Sequence, residues 1–445
     1  MSTSTRSSRI RDEIFTQLAG VQSTGLEGRV VQTLGATLAV ADFAAPVGAV
    51  VEIHRASGRS VPGEVIGFRD ALTLVAPLGD LPGVRRGDRV RLVRSSDWLA
   101  VGDGLIGRVF DAFGRPLDSL PVPPLPSRTY LHAKPPQSTR RRRVAEPFTT
   151  GVRSIDAMLT CGRGQRLGVF AGAGVGKSVL LGMLAKNAQA DVIVVGLVGE
   201  RGREVQEFLE RDLGPEGLAR SVVFVATSDE SPLVRVRAAL AATSVAEHFA
   251  SEGRDVLLVL DSLTRVALAL REIGLSAGEP PATRGFPASV FTRLPQLVER
   301  TGPQANGVIT AFYSVLVEGD DPNDPIGDAV RGLLDGHVWL SRRLANRGCL
   351  PAIDVLESVS RCMNSVTTRD HQEDAAALRS LLSTYRENEE LISLGAYTPG
   401  SKPQVDAAIA LHPLWERFAK QRPDESATMA EALGGLKRLH AAIAE

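Results

Sequence analysis

The sequence has few cysteines and no long apolar run. Only three of its 445 residues are cysteines, Cys161, Cys349 and Cys362, and their spacing matches no metal-binding pattern. This excludes a disulfide scaffold and favours packed thiols in a reducing compartment. No stretch approaches the roughly 20 apolar residues that a transmembrane helix needs, and the first residues lack the apolar core of a secretory signal. We therefore expect a cytoplasmic protein whose membrane contact is peripheral only.

The sequence also carries no net charge and few aromatic residues. Basic and acidic residues number 51 each, so no global field attracts nucleic acid or an anionic membrane. Within residues 28–93 the only aromatics are Phe43 and Phe68, too few for a base-stacking platform. Four arginines at 140–143 lie in a proline-rich stretch. Composition leaves two interpretations of this run open, a solvated or ion-paired segment and a local nucleic-acid site, and favours the first. We expect no nucleic-acid partner.

Apolar periodicity divides the chain into four parts. Residues 1–24 place Ile10, Ile14 and Leu18 four apart, which predicts a short N-terminal helix. Residues 25–96 contain evenly spaced β-rich runs separated by glycine and proline, as in a small β-barrel. Residues 97–366 open with an irregular linker at 97–148, after which apolar runs alternate with helical segments. Residues 367–445 are predicted to be helical. The strands predicted for the parallel sheet are 167–170, 192–195, 222–225, 256–260 and 308–312.

The most informative motif is AGAGVGKS at 171–178, which lies between a predicted strand and a predicted helix. In that context the glycines let backbone N–H groups converge on phosphates, and the helix N-terminus adds positive potential. Lys177 is expected to reach the β- and γ-phosphates, and Ser178 to bind Mg²⁺. The first position is alanine where the general motif has glycine. The sequence thus predicts a site for ATP and Mg²⁺. Its predicted nucleotide contacts are Gly172, Ala173, Gly174, Val175, Gly176, Lys177, Ser178 and Val179.

Two carboxylates complete the predicted chemistry. Asp261 ends the apolar run at 256–260, at the sheet edge beside the phosphate loop, where an acid can hold Mg²⁺ through water. A helix-capping role is the alternative for this residue. Glu200 follows the strand at 192–195, where it could polarise the attacking water while Arg201 fixes its orientation. Position alone leaves a surface Glu–Arg pair equally open.

Further segments carry a recognisable pattern: GQRLGVF at 164–170, GERGREV at 199–205, ATSDESP at 226–232, GFPASVF at 285–291 and VEGDD at 317–321. Together with the phosphate loop they resemble the type III protein export ATPases, which include flagellar and injectisome enzymes and are related to rotary ATP synthase catalytic subunits. The resemblance implies an α/β, RecA-like P-loop core between an N-terminal barrel and a C-terminal helical domain. It also implies that Glu200 is the catalytic glutamate and Asp261 the Walker B acid. Residues 351–361 resemble the strand that carries the family's arginine finger, which would be Arg361.

The same resemblance implies an assembly. Rotary synthases divide the catalytic glutamate and the finger between two subunit types, whereas Glu200 and Arg361 share one chain here. A homohexamer would therefore be self-sufficient. The expected partners are a coiled-coil stalk protein, an export gate, peripheral stator proteins, and export chaperones with their cargo. ATP turnover would release and unfold that cargo at the inner face of the cytoplasmic membrane.

Two departures and three alternatives accompany this interpretation. Leu350 stands where the family commonly has a tyrosine against adenine, so we assign it to the adenine face with a weaker contact. Residues 391–397, LISLGAY, look more flagellar than injectisome-like. The alternatives are an RNA translocase of the termination-factor type, a non-catalytic nucleotide-binding subunit and a rotary F/V-type subunit. The lack of an aromatic platform argues against the RNA translocase. The presence of Lys177 and Glu200 argues against the non-catalytic subunit, and the finger on the same chain argues against the rotary subunit.

Overall fold

The computed structural model describes residues 25–444, except 36, 57, 80, 138, 140 and 318–323. The predicted N-terminal helix at 1–24 and most of the VEGDD segment lie outside the described residues. None of the helices in the described part of the chain combines the length and the apolar character that a membrane span requires.

An antiparallel barrel opens the described chain. Its strands are β1 (Glu27–Leu34), β2 (Thr37–Ala41), β3 (Val50–His54), β4 (Ser60–Arg69), β5 (Leu72–Pro77) and β6 (Arg89–Arg94). They close in the order β1-β2-β5-β4-β3-β6. Buried and exposed side chains alternate along β6, as expected for a strand with one face on a core. Val40, Val51 and Val90 are among the residues that fill this core. The predicted barrel is confirmed.

The segment predicted to be an irregular linker contains four short strands. They are β7 (Trp98–Val101), β8 (Arg108–Asp111), β9 (Ser127–Tyr130) and β10 (Pro147–Phe148). Strand β8 joins the edge of the main sheet, with Val109 and Phe110 buried. Two apolar residues in a four-residue strand are too weak a pattern to identify from sequence. Of the arginine run, Arg141 donates to the carbonyls of Glu299 and Thr301, and Arg142 donates to that of Ala305.

The central domain is built on a sheet that is parallel through most of its width. Its strands are β12 (Arg166–Ala171), β13 (Val192–Glu200), β14 (Ser221–Thr227), β15 (Asp255–Asp261), β17 (Val308–Leu316), β18 (Gly336–Leu340) and β19 (Val359–Ser360), with β11 (Cys161–Gly162) and β16 (Gly302–Pro303) beside them. The order is β19-β18-β12-β17-β15-β13-β14-β8, and β19 runs antiparallel to β18. Every residue of β15 is buried, which a sheet covered on both faces requires. The predicted α/β core is confirmed.

Helices cover both faces of this sheet and form the C-terminal region. They are α1 (Arg153–Met158), α2 (Lys177–Asn187), α3 (Gly202–Glu207), α4 (Gly214–Ala219), α5 (Pro232–Ser251), α6 (Leu263–Ser276), α7 (Ala288–Val298), α8 (Pro325–Leu333), α9 (Arg342–Asn346), α10 (Met363–Val366), α11 (Arg369–Ser393), α12 (Pro403–Ala419) and α13 (Met429–Ala444). A π-helical stretch, Phe208–Leu213, joins α3 to α4. Helix α12 continues through Pro413 because its apolar stripe, which includes Leu411 and Trp415, stays buried on both sides of the proline.

Candidate active site

The phosphate loop connects β12 to α2 as predicted. Gly174 and Gly176 have φ angles of 75° and 95°, a left-handed conformation that glycine adopts without steric cost. At Gly174 an added Cβ would meet no atom within 4 Å, so conformation rather than crowding explains the glycine there. Helix α2 begins at Lys177, and its N-terminus therefore faces the loop with positive potential. The Val175 side chain packs into the core, which leaves only its backbone for a ligand.

Lys177 lies between the two predicted carboxylates. Its Nζ is 2.6 Å from Oδ1 of Asp261 and 3.4 Å from Oε1 of Glu200. Burial works against the charged ammonium, but the two carboxylates outweigh it and raise the pKa of Lys177 above its ordinary value. The structure thus brings together three residues that are separated by up to 84 positions in the chain.

Asp261 is held from a neighbouring strand. It ends β15 and is almost fully buried. The hydroxyl of Ser314, on the adjacent strand β17, donates a hydrogen bond to its Oδ1. Sequence analysis missed Ser314, although a polar residue in the apolar run of β17 was an available signal. This hydroxyl keeps the buried carboxylate hydrogen-bonded, as a buried charge requires.

A backbone irregularity orients Glu200. Strand β13 shifts register against β14 between Val198 and Glu200, and the extra residue, Gly199, has a φ of 72°. Such bulges change the direction of the next side chain and are common beside active sites. Burial raises the pKa of Glu200 to about 7; the Lys177 ammonium opposes this shift, and the Asp261 carboxylate adds to it. Glu200 is therefore a carboxylate of raised basicity beside the lysine.

The two arginines near Glu200 differ in placement. The Arg201 side chain is 80% exposed and lies 3.9 Å from Glu204, so the structure does not bring it to Glu200. Arg265, in the first turn of α6, instead packs against Gly199: a Cβ added to this glycine would lie 3.0 Å from the Cβ of Arg265. Its positive charge lowers the pKa of Glu200. Sequence analysis missed Arg265, whose position four residues after Asp261 was the available signal.

The residues present fit Mg²⁺. Ser178 is the second residue of α2 and Asp261 lies beside its neighbour Lys177. Hydroxyl and carboxylate oxygens are the ligands that Mg²⁺ prefers, together with phosphates and water. Among the described residues, no group of three or more His, Cys, Asp or Glu could hold a metal by itself. A cation at this site would thus depend on the nucleotide for part of its coordination.

Leu350 lies beside the phosphate loop. A Cβ added to Gly176 would lie 3.8 Å from the Cδ2 of Leu350, and 47% of Leu350 is exposed. The backbone N–H of Gln421, just after α12, donates to the Leu350 carbonyl at 2.9 Å. The C-terminal region therefore holds the segment that carries Leu350.

Arg361 lies at the opposite end of the sheet from the phosphate loop. It directly follows β19, and its N–H donates at 3.0 Å to the carbonyl of Asp335, the residue just before β18. Asp335 in turn hydrogen-bonds Arg166, the first residue of β12. The phosphate loop follows the other end of β12, a strand of six residues, so roughly 17 Å separates the two ends at ~3.3 Å per residue. The exposed Arg361 side chain is thus distant from the Lys177 cluster of its own chain.

Two family models match most of the chain beyond the barrel. Residues 151–360 match the nucleotide-binding domain of the ATP synthase alpha/beta family. Residues 367–438 match the type III secretion system EscN ATPase C-terminal domain.

Individual relatives match nearly the whole chain. A flagellum-specific ATP synthase of Bacillus subtilis is 48% identical over 93% of this chain and 94% of its own length. A type 3 secretion system ATPase of Xanthomonas euvesicatoria is 47% identical over 89% of this chain and 90% of its own. The assembled ATPase EscN of enteropathogenic E. coli superposes with a TM-score of 0.87 at 42% identity, covering 93% of this chain and all of EscN. A second EscN structure, in complex with its central stalk EscO, gives a TM-score of 0.85 at 41% identity and the same coverage.

Proposed function

Since this chain belongs to the ATP-hydrolysing family of type III export ATPases, we propose that it works as a homohexameric ring in which each active site combines two neighbouring subunits. The observation that carries this proposal is the position of Arg361. Arg361 is exposed and lies about one strand length from its own phosphate loop, so it cannot reach the nucleotide of its own subunit. A neighbouring subunit packed against β19 could place its nucleotide site next to Arg361.

Within one subunit, the residues around Lys177 divide the chemistry. Lys177 would exchange its two carboxylate partners for phosphate oxygens when ATP binds. Glu200, next to the lysine, would then orient the attacking water and accept its proton. Ser178 would hold Mg²⁺ directly and Asp261 would hold it through water, and the ion would supply positive charge at the phosphates. Ser314 and Arg265 keep the two carboxylates in place through the contacts described above. Arg201, directed to solvent, would act only if a neighbouring subunit or the nucleotide changed its orientation.

Arg361 would act on the neighbour's nucleotide. A guanidinium there neutralises charge that develops on the transferred phosphoryl group, a contribution of about 10³–10⁵ in kcat for arginine fingers. Because one chain carries both Glu200 and Arg361, identical subunits suffice for every site in a closed ring.

For the cellular role we propose export of flagellar proteins, with injectisome secretion as the second candidate. Relatives of both kinds are similarly identical to this chain, and residues 391–397 favour the flagellar one. By analogy with EscN and EscO, a coiled-coil stalk would occupy the ring. The further proposed partners are an export gate, stator proteins, and chaperones with cargo, at the inner face of the cytoplasmic membrane. The match at 367–438 argues against a rotary synthase subunit.

Mixed rings test the shared site. Pure rings of Lys177→Ala or Arg361→Ala should be almost inactive in a phosphate-release assay. When the two variants are mixed before assembly, an Arg361→Ala subunit supplies an intact phosphate loop and an adjacent Lys177→Ala subunit supplies the finger. With random placement and independent junctions, an equal mixture should regain about one quarter of the wild-type rate, because half of the loops and half of the fingers are intact. Ratios of one to nine should regain about a tenth.

Two measurements make a negative result decisive. Labelled subunits must show exchange, and gel filtration with and without ATP must show the assembled ring. If exchange occurs and no ratio restores activity, dilute monomers are assayed next. Hydrolysis by monomers that still depends on Arg361 would show that the residue acts within its own subunit and would overturn the proposal.

A further inference from the structure

One segment of chain, residues 350–361, joins the two halves of the proposed site. It starts with Leu350 beside its own phosphate loop and runs along the edge of the sheet against β18. Ile353 bridges Leu340 near one end of β18, and Ser360 pairs with Gly336 at the other. Arg361 follows at once. Whatever fixes the middle of this segment therefore fixes the approach to Arg361.

The middle of the segment is a turn built around Asp354. Its Oδ1 accepts hydrogen bonds from the N–H groups of Leu356 and Glu357, at 3.0 Å and 3.2 Å. The Ser358 hydroxyl donates to the Asp354 carbonyl at 2.6 Å and accepts from the N–H of Trp339, in β18, at 2.8 Å. The Asp354 side chain is only 7% exposed. This turn thus has a defined shape that depends on one buried carboxylate.

Two arginines of the C-terminal helix α11 hold that turn. Both oxygens of Asp354 accept from Nη2 of Arg386, at 2.5 Å and 2.6 Å, and Nη1 of Arg386 donates to Glu357 at 2.9 Å. Arg379 donates from Nη1 to the Val355 carbonyl at 2.6 Å and from Nη2 to the carbonyl of Met158 at 3.2 Å. The two arginines are seven residues apart, about two helical turns, so they share one face of α11.

We propose that Arg379 and Arg386 are positioning residues for Arg361, through which the C-terminal helices set the geometry of the neighbour's active site. The proposal rests on the proposed role of Arg361 as a finger acting in trans. Only Val359 and Ser360 separate the turn at 354–358 from the finger, and these two residues form the edge strand β19. Arg361 itself is anchored by its backbone to Asp335. The turn that the two arginines hold sets the direction from which the chain enters β19 and reaches this anchor.

Other contacts keep the C-terminal helices docked when Arg386 is changed. Arg347, after α9, lies 2.9 Å from Glu389 and 3.2 Å from Glu416. Arg153 of α1 forms an ion pair with Glu425. These pairs do not involve residues 354–358, so loss of Arg386 should disturb the turn without detaching the domain.

The test measures whether Arg386 acts on its own site or on the neighbour's. Pure Arg386→Ala rings should lose roughly tenfold to 10²-fold in kcat, the cost of a small misplacement of a catalytic group. The Kd of a fluorescent ATP analogue should stay at the wild-type value, because the variant keeps its own phosphate loop. Mixing with Lys177→Ala, which keeps both Arg386 and Arg361, should restore activity as it does for Arg361→Ala. Arg386→Lys, which keeps the charge but not the paired hydrogen bonds, should be intermediate.

Two further variants serve as controls. Arg369→Ala removes an arginine from the same helix that is 89% exposed and pairs with Glu373, and it should keep the wild-type kcat. Asp354→Asn keeps an oxygen that can accept from the N–H groups of Leu356 and Glu357 but removes the carboxylate that Arg386 binds, and it should reproduce the kcat loss and the restoration. It also keeps the test valid should Arg386→Ala fail to fold.

The outcomes separate this proposal from the one on which it rests. If mixing with Lys177→Ala restores the ATPase activity of Arg361→Ala but not that of Arg386→Ala or Asp354→Asn, the arginines act on their own subunit and the positioning role is wrong. The same holds if both variants keep the wild-type kcat. If mixing never restores the activity of Arg361→Ala and hydrolysis by monomers still depends on Arg361, the finger in trans fails and the positioning role falls with it.

Discussion

Replacing Glu200 with glutamine is the most direct test of the chemistry. The substitution removes the charge and keeps the shape of a side chain that is 16% exposed and 3.4 Å from Lys177. Lys177 keeps its 2.6 Å contact to Asp261, so the ammonium stays charged and ATP binding should survive. Loss of a general base usually costs a factor of 10²–10⁴. That factor corresponds to about 2.7–5.4 kcal/mol of transition-state stabilisation.

The assay combines steady-state phosphate release with a direct measurement of nucleotide binding. We expect kcat to fall by at least about 10²-fold while the Kd for ATP does not rise, because a negative charge near the phosphates has been removed. Glu207→Gln is the matched control, since Glu207 lies on the following helix, 53% exposed, and pairs with Arg203. A Glu200→Gln enzyme that kept more than roughly a tenth of the wild-type kcat would have lost under ~1.4 kcal/mol, and Glu200 would not be the catalytic carboxylate.

Two further predictions concern the nucleotide pocket. Lys177→Ala should abolish turnover and weaken ATP binding. The nucleotide-free variant should also lose on the order of 3 kcal/mol of stability, because Asp261 and Glu200 are left without their cation. An unchanged melting temperature would contradict the ion-pair geometry. Leu350→Tyr should tighten ATP by about 1–3 kcal/mol through stacking and should tighten CTP less; equal gains for both nucleotides, measured by competition, would remove Leu350 from the adenine site.

Most of the site could be predicted because its parts are local or follow a general rule. The phosphate loop is a contiguous stretch in which Gly174 and Gly176 allow the left-handed backbone and Lys177 follows directly at the start of the helix. Asp261 and Glu200 end apolar strands, and the carboxyl ends of parallel strands meet at one edge of a sheet. The residues that sequence analysis missed, Ser314 and Arg265, contact these carboxylates from other elements. No local pattern distinguishes such a serine or arginine from its neighbours until the strand order is known.

The sequence by itself indicated the barrel, five strands of the parallel sheet, the C-terminal helices and the candidate residues for the chemistry, because hydrophobic periodicity and loop glycines act over a few residues. Tertiary structure decided what those residues face. Strand β8 joins the sheet only because β14 offers it an edge, and Arg201 turns to solvent although it adjoins Glu200. Arg361 lies a strand length from its own phosphate loop because β19 runs antiparallel to β18, and Arg386 reaches Asp354 because helix α11 packs across the edge of the sheet. These relations depend on packing between distant segments, which local propensity does not encode.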